Sequence, residues 1–354
     1  MFSFRRPAAA AVAGLAALTA LAVGPAPPRA AADSVVSHAV TFKVHSVNTS
    51  QVPCPTDGAA YSIQGHLTAP AAQLDPGGAH AVVLDLHGLG YGEFFWHFQS
   101  VPGYDWAAGL AEHGIASVSV DRLGYGASGH PPGNETCMGG QADIAHQMVQ
   151  ALKKGDYDMD GGPGVGFPKV VIAGHSAGGG ISQVEAYSYR DVDGLMVFSW
   201  ADSDQSPQVL GDFAQTGGVC LTGGKPPGYA PLGQSDDDFK ALMFHHADAA
   251  VESAATAMRN PDPCGDDGSI PTEIFVDHLQ VSSIKLPVLL VMGAEDAIFP
   301  PPSLEHQKSL YTGTGDLTAV SVPDTGHAVT LEASAPSTRD TVASWLCARG
   351  FCGG

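Results

Sequence analysis

Gly174-His175-Ser176-Ala177-Gly178 sets one serine between two glycines, directly after the apolar run Lys169-Val170-Val171-Ile172-Ala173. A serine hydroxyl is a weak nucleophile until a base takes its proton, so the pattern needs a histidine and an acid. The flanking glycines suit a sharp strand-to-helix turn, where the backbone comes too close to its neighbours for a Cβ. Two later segments supply partners. Leu286–Met292 is a buried-strand pattern that runs into Gly293-Ala294-Glu295-Asp296, and Leu317–Val322 is another that runs into Pro323-Asp324-Thr325-Gly326-His327. With Ser176 as nucleophile, His327 as base and then acid, and Asp296 fixing the imidazole tautomer, the three residues could perform acyl transfer. Both partners follow the carboxyl ends of predicted strands, where open α/β sheets gather their ligands.

Competing residues are numerous, since the chain holds 15 histidines. His327 stands apart because it follows the last strand in a Gly-His step. His175 reads as a packing residue beside the nucleophile and His87 as an orderer of its own loop, although both lie close enough in sequence to Ser176 or to the 87–90 turn to touch substrate. The aromatic run Phe94-Phe95-Trp96-His97-Phe98 could wall an apolar pocket through Phe95 and Trp96, or bury the following helix; the two readings stand even. His245 and His246 read as a solvated face, Asp324 as too near His327 in the chain to serve it, and Asp121 as a cap of its own loop.

These side chains must be held by regular elements. Apolar runs place strands at His38–Ser46, Ala60–Thr68, His80–Leu86, Ile115–Val120, Lys169–Ala173, Gly194–Trp200, Leu286–Met292 and Leu317–Val322. Helical patterns cover Asp105–His113, Ala142–Lys154, Ala177–Arg190, Leu304–Leu310 and Ala335–Cys347. Between the sixth and seventh strands the pattern breaks up. Pro226-Pro227-Gly228, Asp236-Asp237-Asp238 and Pro261-Asp262-Pro263 punctuate short helical pieces at Phe239–His246 and Ala249–Met258.

The chain resembles the α/β-hydrolase superfamily. Besides the serine turn, His87-Gly88-Leu89-Gly90 follows the third strand and Asp121-Arg122-Leu123-Gly124-Tyr125-Gly126-Ala127-Ser128-Gly129 follows the fourth, both similar to recurrent segments of that superfamily. The order Ser176, Asp296, His327 is also its order. The resemblance implies a mostly parallel eight-stranded sheet flanked by helices, with a cap or lid inserted between strands six and seven. The expected divisions are a signal peptide at 1–32, core at 33–203, cap at 204–283 and core again at 284–354. It implies an oxyanion hole from the amides of Leu89 and Ala177. It favours Asp296 over Asp202, which follows the sixth strand where some relatives carry the acid, because Gly293-x-x-Asp296-x-x-x-Pro300 is similar to the usual acid loop. The implied activity is hydrolysis of carboxylic esters through an acyl-enzyme. Lactone or amide hydrolysis on the same fold is the alternative, and a non-catalytic binding protein is disfavoured by the complete triad. A serine nucleophile excludes the branches that need an aspartate there.

Composition bounds the setting. Arg5 and Arg6, the Ala/Leu/Val-rich stretch from Ala8 to Val23 and Ala30-Ala31-Ala32 read as a Sec-type secretory signal, too interrupted by Gly14, Gly24 and the prolines that follow for a membrane span. Three arginines leave with it and no acid, so the chain's −20 becomes −23 in the mature protein, which opposes nucleic acid and anionic membranes as partners. High Ala and Gly with few basic residues suggest a bacterial source. Six cysteines in an exported chain read as disulfides; sequence alone does not choose the pairing, and those expected are Cys220 with Cys264, Cys347 with Cys352, and Cys54 with Cys137. No cofactor and no metal are expected. Cys/His spacing does not suit zinc, and the calcium-like Asp156-Tyr157-Asp158-Met159-Asp160-Gly161 has Phe167 where a bidentate glutamate belongs, leaving a solvated acidic turn. The expected partner is a small ester.

Overall fold

In this computed structural model the described residues are Met1, Phe2 and 34–353. The signal-peptide expectation therefore falls almost wholly outside them. From Asp33 onward the chain forms one compact unit.

Strands rich in Val, Ile, Leu and Ala with no polar face bury both sides, which is the signature of a parallel sheet covered by helices. Eight longer strands realise this: β1 (Val35–His45), β2 (Ala60–Pro70), β3 (Ala81–Leu86), β4 (Ala116–Val120), β5 (Lys169–His175), β6 (Gly194–Phe198), β7 (Val288–Gly293) and β8 (Leu317–Val322). The spatial order is β8-β7-β6-β5-β3-β4-β2-β1. Pairing is parallel from β4 through β8, whereas β2 pairs antiparallel with both β4 and β1. The sheet has ten strands rather than eight. A hairpin of Asp158–Met159 and Gly162–Pro163 adds two short ones beyond β1. Strands of two residues carry no readable period, so this hairpin looked like a turn. Its acids are solvated as expected, with Asp158 near Lys43 (3.6 Å) and Asp160 on His38 (2.6 Å).

The helices that flank the sheet or lie between β6 and β7 are α1 (Trp106–Glu112), α2 (Met138–Lys154), α3 (Ala177–Tyr189), α4 (Pro207–Leu221), α5 (Asp236–Met243), α6 (Ala249–Met258), α7 (Cys264–Gln280), α8 (Ser303–Leu310) and α9 (Ala335–Ala348). Four of them, α4 to α7, lie in the segment between β6 and β7 that sequence patterning left as short irregular pieces. Pro207 sits at the first turn of α4, where its missing N–H is harmless, and Ser206 caps that turn by accepting from Val209 N. Three glycines within α4 and Pro271 within α7 hide the helical pattern. A disulfide between Cys220 and Cys264 joins α4 to α7, and Cys54–Cys137 and Cys347–Cys352 complete the expected set. Among the described residues, no helix is long and apolar enough to cross a membrane.

Candidate active site

β5 ends at His175, and the chain turns through Ser176 into α3. Ser176 has φ 52° and ψ −126°, a conformation that costs a non-glycine residue and is held only because its surroundings fix it. Its amide donates to Phe198 O at 2.8 Å, and its carbonyl accepts from Gly179 at 2.7 Å. A Cβ on Gly174 would stand 1.9 Å from Gly178 O, and one on Gly178 would stand 2.4 Å from Leu86 O. Neither position can carry a side chain while the turn stays this tight.

β7 delivers the acid. Asp296 is buried just past Gly293, and its Oδ1 accepts from the amides of Ile298 (2.8 Å) and Phe299 (3.0 Å). These bonds fix the carboxylate toward His327, whose Nδ1 lies 2.9 Å from Oδ2 and 3.0 Å from Oδ1. His327 is buried in the loop after β8 and anchored on both sides. Its carbonyl bonds to His175 Nε2 at 3.0 Å, and the preceding Gly326 donates to Glu332 Oε1 at 3.0 Å. Glu332 also accepts from the amides of His245 (2.7 Å) and His246 (2.8 Å), so the loop between α5 and α6 and the histidine loop share one carboxylate. His327 Nε2 is buried and without a hydrogen-bond partner among the described residues, so no bond joins it to the Ser176 hydroxyl. Such bonds are often long without substrate and tighten when it binds.

Asp202 goes elsewhere. It accepts from Trp200 Nε1 (2.8 Å) and Gln307 Nε2 (3.0 Å) and makes no contact with His327. Glu295 holds the amide of Thr325, and Asp324 pairs with His245 and His246. Asp121 caps its own loop through Ala127 N, as expected, and also accepts from Glu93 N in the turn after β3.

Leu89, Ser176 and Ala177 line one small pocket together with Trp200, Gln205, Phe213, Leu232, Ile270, Ile298 and Phe299. Its free volume is about 20 Å³, room for one water. The amides of Leu89 and Ala177 engage no acceptor among the described residues. Sequence reasoning missed the walls. Trp200 carried a signal as the aromatic residue that follows β6, but Phe213, Leu232 and Ile270 come from the cap and had none.

The four residues expected to contact substrate lie outside this pocket. His87, Phe95, Trp96 and His175 are fully buried and do not line the pocket. Phe95 stacks on His175 with ring centroids 4.0 Å apart, and Trp96 meets Phe198 edge-on at 5.2 Å. The aromatic run fills the core under the site, because a short turn at Glu93–Phe95 directs its rings inward. His87 accepts from Arg122 N at 3.0 Å, and Arg122 Nε returns to His87 O at 2.9 Å. Burial pushes the pKa of both His87 and His175 well below the ordinary histidine value, so each stands neutral. Two cap acids complete this support. Asp262 accepts from Gly90 N at 2.6 Å, and Asp266 pairs with Arg122 at 3.0 Å.

Comparison with known proteins agrees with this fold. Solved structures of similar fold include a thermophilic esterase from Thermogutta terrifontis (18% identity, TM-score 0.61, covering 87% of this chain and 99% of that one). A monoacylglycerol lipase from Paleococcus ferrophilus (18%, TM-score 0.58, 75% and 94%) and an enol-lactonase from Burkholderia xenovorans LB400 (15%, TM-score 0.57, 81% and 97%) are also similar. A sequence search of curated proteins finds no match. The model of the alpha/beta hydrolase family matches residues 82–339, most of the chain, and the protein belongs to that family.

Proposed function

We propose that this chain is an exported serine hydrolase of carboxylic esters that works through Ser176, His327 and Asp296. The observation that carries this conclusion is the buried Nε2 of His327, without a partner among the described residues and backed through Nδ1 by the Asp296 carboxylate, together with the pocket that Ser176, Leu89 and Ala177 line. Ser176 Oγ attacks the ester carbonyl while its proton passes to His327 Nε2. Asp296 keeps the imidazole in the tautomer that can accept it. The amides of Leu89 and Ala177 hold the oxyanion, a contribution worth roughly 10²–10³ in turnover per donor. Collapse breaks the ester C–O bond, and the alcohol leaves with the proton from His327. Water, deprotonated by the same imidazole, then splits the acyl-enzyme into acid and free Ser176.

The pocket's apolar walls suit a small apolar acyl group. Because Phe213, Leu232 and Ile270 come from residues 204–283, that segment acts as the cap, and its side chains give way to admit anything larger than water. A lactone is the second candidate substrate, since a cyclic ester needs the same steps and one fold relative is an enol-lactonase. For amides, no acid is among the described residues that line the pocket, so none is placed there to bind a substrate amino group. Three disulfides support export, because such bonds persist in oxidising compartments.

A panel of aryl esters of increasing acyl length, lactones and aminoacyl anilides tests the proposal. Short aryl esters should turn over, and Ser176→Ala should lower kcat by about 10⁶-fold with an unchanged circular dichroism spectrum. Turnover that survives in Ser176→Ala moves the nucleophile elsewhere. An anilide preference selects the amide alternative.

A further inference from the structure

Three carboxylates meet in the interior behind α3, apart from Asp296 and His327. Asp202 follows β6, while Glu273 and Asp277 project one turn apart from α7. Asp202 is 3% exposed and the other two are 0% exposed. One oxygen from each lies within 4.8 Å of the others.

Every donor that reaches this group is neutral. Trp200 Nε1 and Gln307 Nε2 bond Asp202, and Tyr187 Oη (2.7 Å) and Gln183 Nε2 (2.8 Å) bond the two oxygens of Asp277. Glu273 differs. Both of its oxygens are buried and have no hydrogen-bond partner among the described residues. Oε1 packs directly against Gly180 on α3, where a Cβ would stand 2.3 Å from it.

Three buried like charges cannot stand uncompensated. Either protons or a cation must resolve them. A proton on Glu273 would have to be shared with a neighbouring acid such as Asp277, whose two oxygens already accept from Tyr187 and Gln183. A cation explains the arrangement directly. Oxygens on opposite sides of a calcium ion, each at about 2.3–2.6 Å, stand at most about 5 Å apart, so separations within 4.8 Å let one ion touch all three acids. The tryptophan, tyrosine and glutamines then hold the outer lone pairs and aim the remaining ones inward. An all-oxygen donor set favours a hard cation over zinc or copper. An irregular cluster of buried carboxylates favours calcium over magnesium, which demands octahedral geometry.

We propose that Asp202, Glu273 and Asp277 bind one calcium ion that fastens cap helix α7 to the core beside α3. The site stands independently of the hydrolase chemistry, because none of its three ligands touches Ser176 or His327.

The test uses the mature protein stripped with a chelator, then titrated with CaCl₂ by calorimetry and by thermal unfolding. One equivalent of calcium should bind and raise Tm by several degrees, with MgCl₂ giving a smaller shift. Glu273→Gln and Asp277→Asn should each abolish the binding heat and the shift, whereas Asp158→Asn in the acidic hairpin should keep both. The proposal is overturned if wild type takes up no calcium and shows one Tm in chelator and in calcium, since the cluster then holds protons. Calcium binding that survives Glu273→Gln overturns it equally. The wild-type titration decides the matter even if a variant fails to fold.

Discussion

Asp296 and Asp202 stand past the ends of neighbouring parallel strands, β7 and β6, and both are buried, yet they belong to different chemistry. Asp296 faces an imidazole and two backbone amides, so one ring nitrogen takes up its charge. Asp202 faces two more acids from α7 and only neutral donors. The strand end fixes where a carboxylate emerges. What it can do depends on the partner that another segment brings, here the loop after β8 in one case and a cap helix in the other.

The largest expected effect separates these two acids. Asp296→Asn should lower kcat on an aryl ester by about 10⁴-fold, because the amide favours the wrong imidazole tautomer. Asp202→Asn should lose far less turnover and instead lose thermal stability in calcium. Initial rates on both purified variants, with folding checked by circular dichroism, decide between them. The reverse ranking would make Asp202 the orienting acid and dissolve the contrast.

A third buried acid sharpens the comparison, because the chain supplies its cation. Asp266 pairs with Arg122 at 3.0 Å, both almost without exposure, and Arg122 also grips the loop that carries Leu89. Arg122→Met should cost about 3–5 kcal/mol in urea unfolding, since it leaves a buried carboxylate without compensation. The double variant Arg122→Met, Asp266→Leu should recover much of that loss. If the single variant costs less than about 1 kcal/mol, a buried acid in this fold tolerates the loss of its partner, and Asp202 needs no cation either.

Most of the sheet was legible because buried parallel strands announce themselves as unbroken apolar runs, and β8 matches its expected limits of Leu317 and Val322. Ser176 was legible because the turn demands glycine at 174 and 178, a requirement visible in residue types alone. The cap was not. Gly211, Gly217, Gly218 and Pro271 mask helices that tertiary packing and the Cys220–Cys264 bond hold together. The roles of Phe95, Trp96 and His175 were undecidable from a run of rings, since a pocket wall and a core layer use the same residues. The acids that gather from positions 202, 273 and 277 leave no local spacing to find, unlike the calcium-like hairpin that sequence singled out.

Asp262 gives the smallest effect and lies between the two classes. Its Oδ1 accepts from Gly90 N, while Oδ2 is buried without a partner among the described residues. Burial moves its carboxyl from the ordinary 3.8 up to about 7, against the opposing pull of the Gly90 amide and Arg122. The folded chain thus keeps a proton that the unfolded chain releases near pH 3.8. Between about pH 4 and about pH 7 the native state binds more protons, so stability falls as pH rises through that window, by at most about 1.4 kcal/mol per unit from this group, and levels off above it. Asp262→Asn removes this contribution, because an amide can still accept from Gly90 and never ionises. Urea midpoints at pH 5 and pH 8 should therefore drop less in the variant than in wild type. Asp267, also raised to about 7, supplies a similar slope in both proteins and cancels in the difference. Equal drops would mean that Asp262 is ionised throughout, compensated by Arg122 and the oxyanion-loop amide in the way that His327 compensates Asp296.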